Sequence, residues 1–157
     1  MTDAHRRGME LALEQAVRAL PHDVPVGAVI LRGDEVVGVG YNRRELVGNA
    51  LSHAEIEAIH AACTALGGWN LSGCTLYVTL EPCPMCAGAI AQARLDRVVY
   101  GAADPKAGAL GSVCNLFAMP FPHTPYVTGG VLEQPCAALL HKFFAQLRSR
   151  NEGGIHI

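Results

Sequence analysis

Apolar residues recur along the first segment at Met9, Leu13, Ala16, Val17 and Leu20. That spacing predicts a helix over 3–20 with one buried face, closed by Pro21. The pattern then changes period. Pro25–Leu31 and Glu35–Tyr41 are rich in β-branched residues, with Arg32, Gly33 and Asp34 between them. Gly33-Asp34 supplies turn chemistry, so the two runs read as a hairpin. Residues 42–52 are mostly polar, carry Gly48 and Asn49, and read as a loop. From His53 to Leu66 the chain is rich in alanine and isoleucine at helical spacing, and Gly67-Gly68 stops it.

The second half alternates. Thr75–Leu80 reads as a buried strand and Pro82–Ala93 as a helix with a proline near its first turn. Arg97–Gly101 is the next strand, and 102–125 is a long Gly- and Pro-containing irregular stretch of the kind that tends to carry function. Tyr126–Val131 is a weaker strand. Pro135–Arg150 closes the chain as a helix, with Leu139, Leu140, Phe143, Phe144 and Leu147 on its apolar side. Strands alternating with helices predict an α/β fold, a central sheet covered by helices.

Composition narrows the class. At 157 residues, half of them apolar and 17% charged, the chain suits one globular domain spanning 1–157. No apolar run approaches the roughly 20 residues of a membrane span. The N-terminal residues Met1 to Arg7 lead into no apolar signal core, which places the protein in the cytoplasm. The net charge of -2 argues mildly against nucleic-acid binding but leaves room for a local basic patch.

Six cysteines stand at 63, 74, 83, 86, 114 and 136. In a reducing compartment they are not a disulfide framework. Cys83 and Cys86 alone have close spacing, and they sit in Pro82-Cys-Pro-Met-Cys86, about 30 residues after His53-Ala54-Glu55. Each segment opens a predicted helix. Cysteines three apart on a helix face one way, and a helix N-terminus favours the thiolate that zinc needs. With His53 they make three protein ligands and leave a fourth tetrahedral position open, the mark of a catalytic rather than a structural zinc. Zinc there activates water. Deaminating a base also requires protons to reach a ring nitrogen and the departing amine, and Glu55, two residues from a ligand, is placed to shuttle them. Taken singly, the Cys-x-x-Cys reads equally as a redox pair and the His-x-Glu as helix surface; in this order they match the zinc nucleobase deaminase signature. The other four cysteines read as small buried hydrophobes.

A longer run, Thr75-Leu-Tyr-Val-Thr-Leu-Glu-Pro-Cys-Pro-Met-Cys-Ala-Gly-Ala89, resembles the bacterial tRNA-specific adenosine deaminases of the cytidine-deaminase-like superfamily. So do Pro25–Ala28, Gly40-Tyr-Asn42, Asp104–Ser112, Gly130–Leu132 and Leu139–Phe144, so the likeness spans about residues 5–150. The zinc motifs are superfamily-wide, and Asp104–Ser112 is what points to the tRNA enzymes. The resemblance implies a three-layer α/β/α sandwich with a central mixed sheet. It implies one Zn2+ per chain on His53, Cys83 and Cys86, with Glu55 as proton shuttle. It implies conversion of adenosine to inosine at the wobble position of a tRNA anticodon, by a homodimer whose two subunits hold the anticodon stem-loop. Asn42, Val26 and Ala54 would lie at the base, Asp104 and Lys106 on a loop facing neighbouring nucleotides, and Phe144 near the flanking base.

Physical chemistry bears on some of these roles independently. A target base is extruded and read by its edge, and an Asn amide offers a donor and an acceptor, although Asn at a strand end also suits a turn. Arg43, Arg44, Lys106, Lys142, Arg148 and Arg150 form a candidate phosphate track, or an ordinary charged surface. Phe144 is equally a core residue of its helix. Two segments depart from the family: Met119–Tyr126 replaces an Asn-His-Arg stretch, and Asn49–Ser52 lacks an Asp-Pro before the histidine. Neither touches the zinc ligands. Two other readings remain: a free-base or nucleoside deaminase of guanine or cytosine type, sharing the zinc chemistry without a basic track, and a non-enzymatic RNA-binding scaffold, against which Glu55 stands.

Overall fold

A computed structural model describes residues 1–153. Its elements are α1 (Asp3–Val17), β1 (Gly27–Arg32), β2 (Glu35–Tyr41), α2 (Arg44–Val47), α3 (Ala54–Leu66), β3 (Cys74–Leu80), α4 (Pro84–Gln92), β4 (Arg97–Ala102), β5 (Tyr126–Thr128) and α5 (Glu133–Gly153), with a 3-10 turn at Leu116–Ala118. The five strands form one sheet in the order β2-β1-β3-β4-β5. The β1 strand runs antiparallel to both β2 and β3, while β3–β4 and β4–β5 are parallel. The sheet is therefore mixed, as the alternation of elements and the family likeness led us to expect.

Small residues decide how the helices cover it. A Cβ on Gly27 would fall 2.9 Å from Cα of Ala16, so α1 lies directly on that face of β1. Gly40 pairs with Ala28, the neighbour of Gly27, and so points to the other face. There a Cβ would fall 2.6 Å from the Ala58 nitrogen of α3, and one on Gly38 would fall 2.5 Å from the Ala58 carbonyl oxygen. The sandwich is thus closed on both sides by glycine in the sheet against alanine in the helix. The α5 helix joins the α1 side, where Cys136 packs over Gly101. Between the layers, Ile30, Leu76, Val78, Ile90, Leu95, Val98 and Val99 are fully or almost fully buried.

Several boundaries differ from the sequence pattern, each for a local reason. The α1 helix stops at Val17, and residues 18–22 form turns before Pro25. The 42–52 loop contains the one-turn helix α2, because the buried Asp23 carboxylate accepts from the Glu45 nitrogen at 2.6 Å and the Leu46 nitrogen at 3.1 Å. The fourth helix opens at Pro84 rather than Pro82. Pro84 presets the first helical φ and forces Cys83 into an extended conformation as N-cap, while Pro82 accepts from the Ala109 nitrogen. The β5 strand is three residues long, since Gly129 and Gly130 turn the chain away beneath the Tyr100 ring. The closing helix begins at Glu133, with Pro135 tolerated in its first turn. No helix among the described residues is long and apolar enough to cross a membrane.

Candidate functional site

Two helix starts meet. His53 is the N-cap of α3 and Cys83 the N-cap of α4, and neither side chain is spent on capping its own helix. An N-cap side chain normally accepts from the first turn; here both turn instead toward the same space. The His53 Nδ1 lies 3.7 Å from Cys83 Sγ and 3.6 Å from Cys86 Sγ. All three donor atoms lie within 4.8 Å of one another. A tetrahedral zinc, with Zn–S of about 2.3 Å and Zn–N of about 2.0–2.1 Å, holds its nitrogen and sulfur ligands about 3.6 Å apart. The donor set therefore fits a tetrahedral metal ion in both chemistry and spacing.

The electrostatics agree with a thiolate-bearing site. Cys83 is pulled down to about 4, chiefly by the hydrogen bond from the Cys86 thiol and further by His53, against the cost of burial. Cys86, fully buried, is driven upward by sharing that proton with Cys83 and by desolvation. His53 is raised, first through its hydrogen bond to Cys83. A bound cation would favour the thiolate of both cysteines and the neutral imidazole of His53.

Glu55 stands in the first turn of α3, only 4% exposed. Burial pushes its carboxyl up to about 7, with the Cys83 thiolate adding to the rise, while its own backbone amide, His53 and the Cys86 thiol pull the other way. An acid with this ordinary range moved to neutrality suits proton transfer in both directions.

His53, Glu55 and Cys83 line a cavity of about 200 Å³. That is below the roughly 300–1,000 Å³ of sites for drug-sized ligands, so the cavity takes one planar ring system and leaves the rest of a larger substrate outside. Val26, Asn42 and Ala54 line it, and so does Asp104, which was expected on a loop facing neighbouring nucleotides. Asn42 is also the turn residue of the plainer reading: its Nδ2 donates to the Val24 carbonyl and its Oδ1 accepts from the Arg44 nitrogen, both at 3.2 Å. One N–H and one lone pair remain free. Lys106 and Phe144 are not in the cavity wall. Lys106 is exposed on the loop beyond Asp104, and Phe144 is 39% exposed on α5, edge-to-face on Phe143. Of the basic residues, Arg44 reaches the cavity and pairs with Glu45, while Arg43 lies near Glu57 and the Tyr41 ring. Cys63, Cys74 and Cys136 are wholly or partly buried, as expected of small hydrophobes, whereas Cys114 is exposed.

Sequence reasoning missed Val24, Leu80, Glu81 and Ala107 in the wall. The signal for Glu81 was present: a lone acid at the end of a strand expected to be buried.

With this geometry in hand, comparison with known proteins decides the family. The tRNA-specific adenosine deaminase of Bacillus subtilis is 44% identical over 146 residues, 92% of this chain and 91% of its own length. The chain belongs to the tRNA-specific adenosine deaminases. A sequence model of the MafB19-like deaminases matches residues 3–148. A solved structure from work on A-to-I editing by tRNA:A34 deaminases at the wobble position of transfer RNA superposes with a TM-score of 0.82 at 45% identity, covering 85% of this chain and 99% of that one. The tRNA(Ile)-lysidine synthase of Deinococcus deserti is 50% identical over 133 residues, 84% of this chain, but the match spans only a quarter of that longer protein. The family match over residues 3–148 takes in α3, α4 and the loop that carries Asp104 and Ala107.

Proposed function

We propose that this chain converts adenosine to inosine at the wobble position of a tRNA anticodon, with one zinc ion per chain held by His53, Cys83 and Cys86. The observation that carries the reading is the meeting of an N,S,S donor set, a buried acid near neutrality and a cavity sized for one base. Zinc on that donor set supplies a Lewis acid for activating water.

The chain's own groups account for the rest. Val26 and Ala54 flank a flipped purine, and Asn42 offers its free N–H and lone pair to the ring edge. Glu55 takes a proton from the attacking water and gives it to N1 as the oxygen bonds to C6. It then delivers the second proton to the N6 amine, the C6–N6 bond breaks, and ammonia leaves. Burial raises the Glu55 pKa to about 7, so that the same carboxyl can take up and return a proton near neutral pH. Asp104 and Lys106 extend the site toward neighbouring nucleotides, and Phe144 gives an exposed ring for a flanking base. The chain acts as a single deaminase domain in a cytoplasmic homodimer, for which the molar mass by light scattering is the check.

The deciding experiment offers an anticodon stem-loop with adenosine at the wobble position, free guanine and cytidine in parallel. Inosine in the stem-loop is the expected product. Turnover of guanine or cytidine alone would refute the tRNA reading.

A further inference from the structure

The loop after β4 carries Asp104 and Ala107, which line the cavity, and the exposed Lys106 between them. It is not held by a helix or a strand. It is wrapped around one side chain, Glu81, which sits between β3 and the start of α4 and is 2% exposed. Its Oε1 accepts from the Asp104 nitrogen at 3.1 Å and from the Ser112 hydroxyl. Its Oε2 accepts from the Leu110 nitrogen at 3.0 Å and the Ser112 nitrogen at 3.1 Å. A carboxylate offers about four lone-pair sites, and four donors fill them. Nothing remains for substrate, so Glu81 touches the reaction only through the loop.

The neighbouring backbone reinforces this. The Glu81 nitrogen donates to the Ala102 carbonyl and Pro82 accepts from Ala109, tying the end of β4 and the middle of the same loop to the residues just before Cys83. Gly108 has no room for a side chain, because a Cβ there would overlap the Glu81 carboxylate. Asp104 Oδ1 in turn accepts from the Lys106 and Ala107 nitrogens, so the anchor at Asp104 shapes the loop's outer turn.

Resting on the functional reading above, we propose that Glu81 is a positioning residue that locks the 104–112 loop to the short segment leading from β3 into α4. Through it the substrate-facing loop keeps a fixed register with the ligand cysteines. Glu81 is thereby a determinant of substrate binding rather than of the chemical step.

The test uses the zinc-loaded full chain with Glu81→Gln, which keeps size but turns an acceptor into a donor facing backbone N–H groups, and with Ser112→Ala, which removes a single donor. Amide exchange by NMR is read at Asp104, Leu110 and Ser112, alongside steady-state kinetics on the stem-loop. Losing hydrogen bonds to a charged acceptor should speed exchange at these amides about tenfold or more in Glu81→Gln, with α3 and α4 amides and zinc content unchanged. KM should rise by a similar factor with a smaller change in kcat. Ser112→Ala should move both in the same direction by less. Unchanged exchange at Leu110 and Ser112, or a fall in kcat with KM unchanged, overturns the proposal. If the wild type fails to act on the stem-loop, the functional reading falls, and the exchange data alone decide whether Glu81 holds the loop.

Discussion

Gly40→Ala tests whether the site depends on the distance between α3 and the sheet. Gly40 lies in β2 beneath the first turns of α3, and an added Cβ would fall 2.6 Å from the Ala58 nitrogen, 2.7 Å from Glu57 Cβ and closer still to the Ala54 carbonyl. The nearest atoms include the α3 backbone, so no side-chain rotation relieves the overlap. Recovering an ordinary separation of 3.4 Å requires α3 to retreat by about 1 Å. Ala54 stands between His53 and Glu55, so the retreat carries the imidazole and the proton shuttle with it. The sulfurs stay behind, since Cys83 and Cys86 belong to α4 and follow β3. Overpacking of this kind costs about 1–3 kcal/mol, which for a chain of this size lowers Tm by about 2–12 °C. A misplacement of about 1 Å in catalytic groups costs on the order of 100-fold in rate. Activity should therefore suffer far more than stability. The assay measures kcat/KM on the stem-loop, zinc per chain by elemental analysis and Tm, with Gly68→Ala as control because nothing lies within 4 Å of a Cβ there. Wild-type kcat/KM and full zinc occupancy in Gly40→Ala would refute the reasoning.

Other perturbations separate the parts of the site. Cys86→Ala removes a ligand whose sulfur lies 3.6 Å from His53 Nδ1, and elemental analysis should find zinc lost; equal occupancy with wild type would dissolve the metal site. Glu55→Gln should retain zinc while kcat falls about 10²–10⁴-fold, the usual worth of a positioned acid–base group, and undiminished turnover would remove Glu55 from the mechanism. His5, whose Nδ1 meets the Tyr77 hydroxyl at 3.0 Å, has a pKa lowered below 6.5 by burial, with Arg97 and the N-terminal amine adding to the fall. The unfolded chain takes up that proton first as pH falls, so the stability from His5 is present above 6.5 and is lost as pH drops through its lowered folded value. The Tm advantage of wild type over His5→Asn should thus shrink between about pH 7.5 and about pH 5, and a constant difference would exclude the linkage.

Much of the architecture was legible because it is written at short range. Met9 and Ala16 lie on the buried face of α1 as their spacing predicted, whereas Val17, expected on the same face, ends the helix exposed; the Gly33-Asp34 turn sits where β1 and β2 join, with Gly33 at a φ of 60°. His53 and Cys83 each start a helix, so their relation to Glu55 and Cys86 follows from helical geometry alone. The reading failed where a partner lay far along the chain. Asp23 makes a helix at 44–47 from a stretch that looks like a loop, and nothing near residue 45 announces it.

The sequence by itself singled out His53, Cys83, Cys86 and Glu55 as candidates and laid out the alternation of strands and helices, since periodicity and motif spacing act over a few residues. Only the tertiary structure decided that α3 and α4 bring a nitrogen and two sulfurs within ligand distance. It alone showed that Gly38 and Gly40 in β2 let the α3 backbone lie directly on the sheet, and that Glu81 gathers the long loop across about 30 residues of chain. Chain connectivity orders neighbours along one strand or helix, whereas the approach of separate elements is fixed by packing volume and by buried groups that must find partners wherever the fold supplies them.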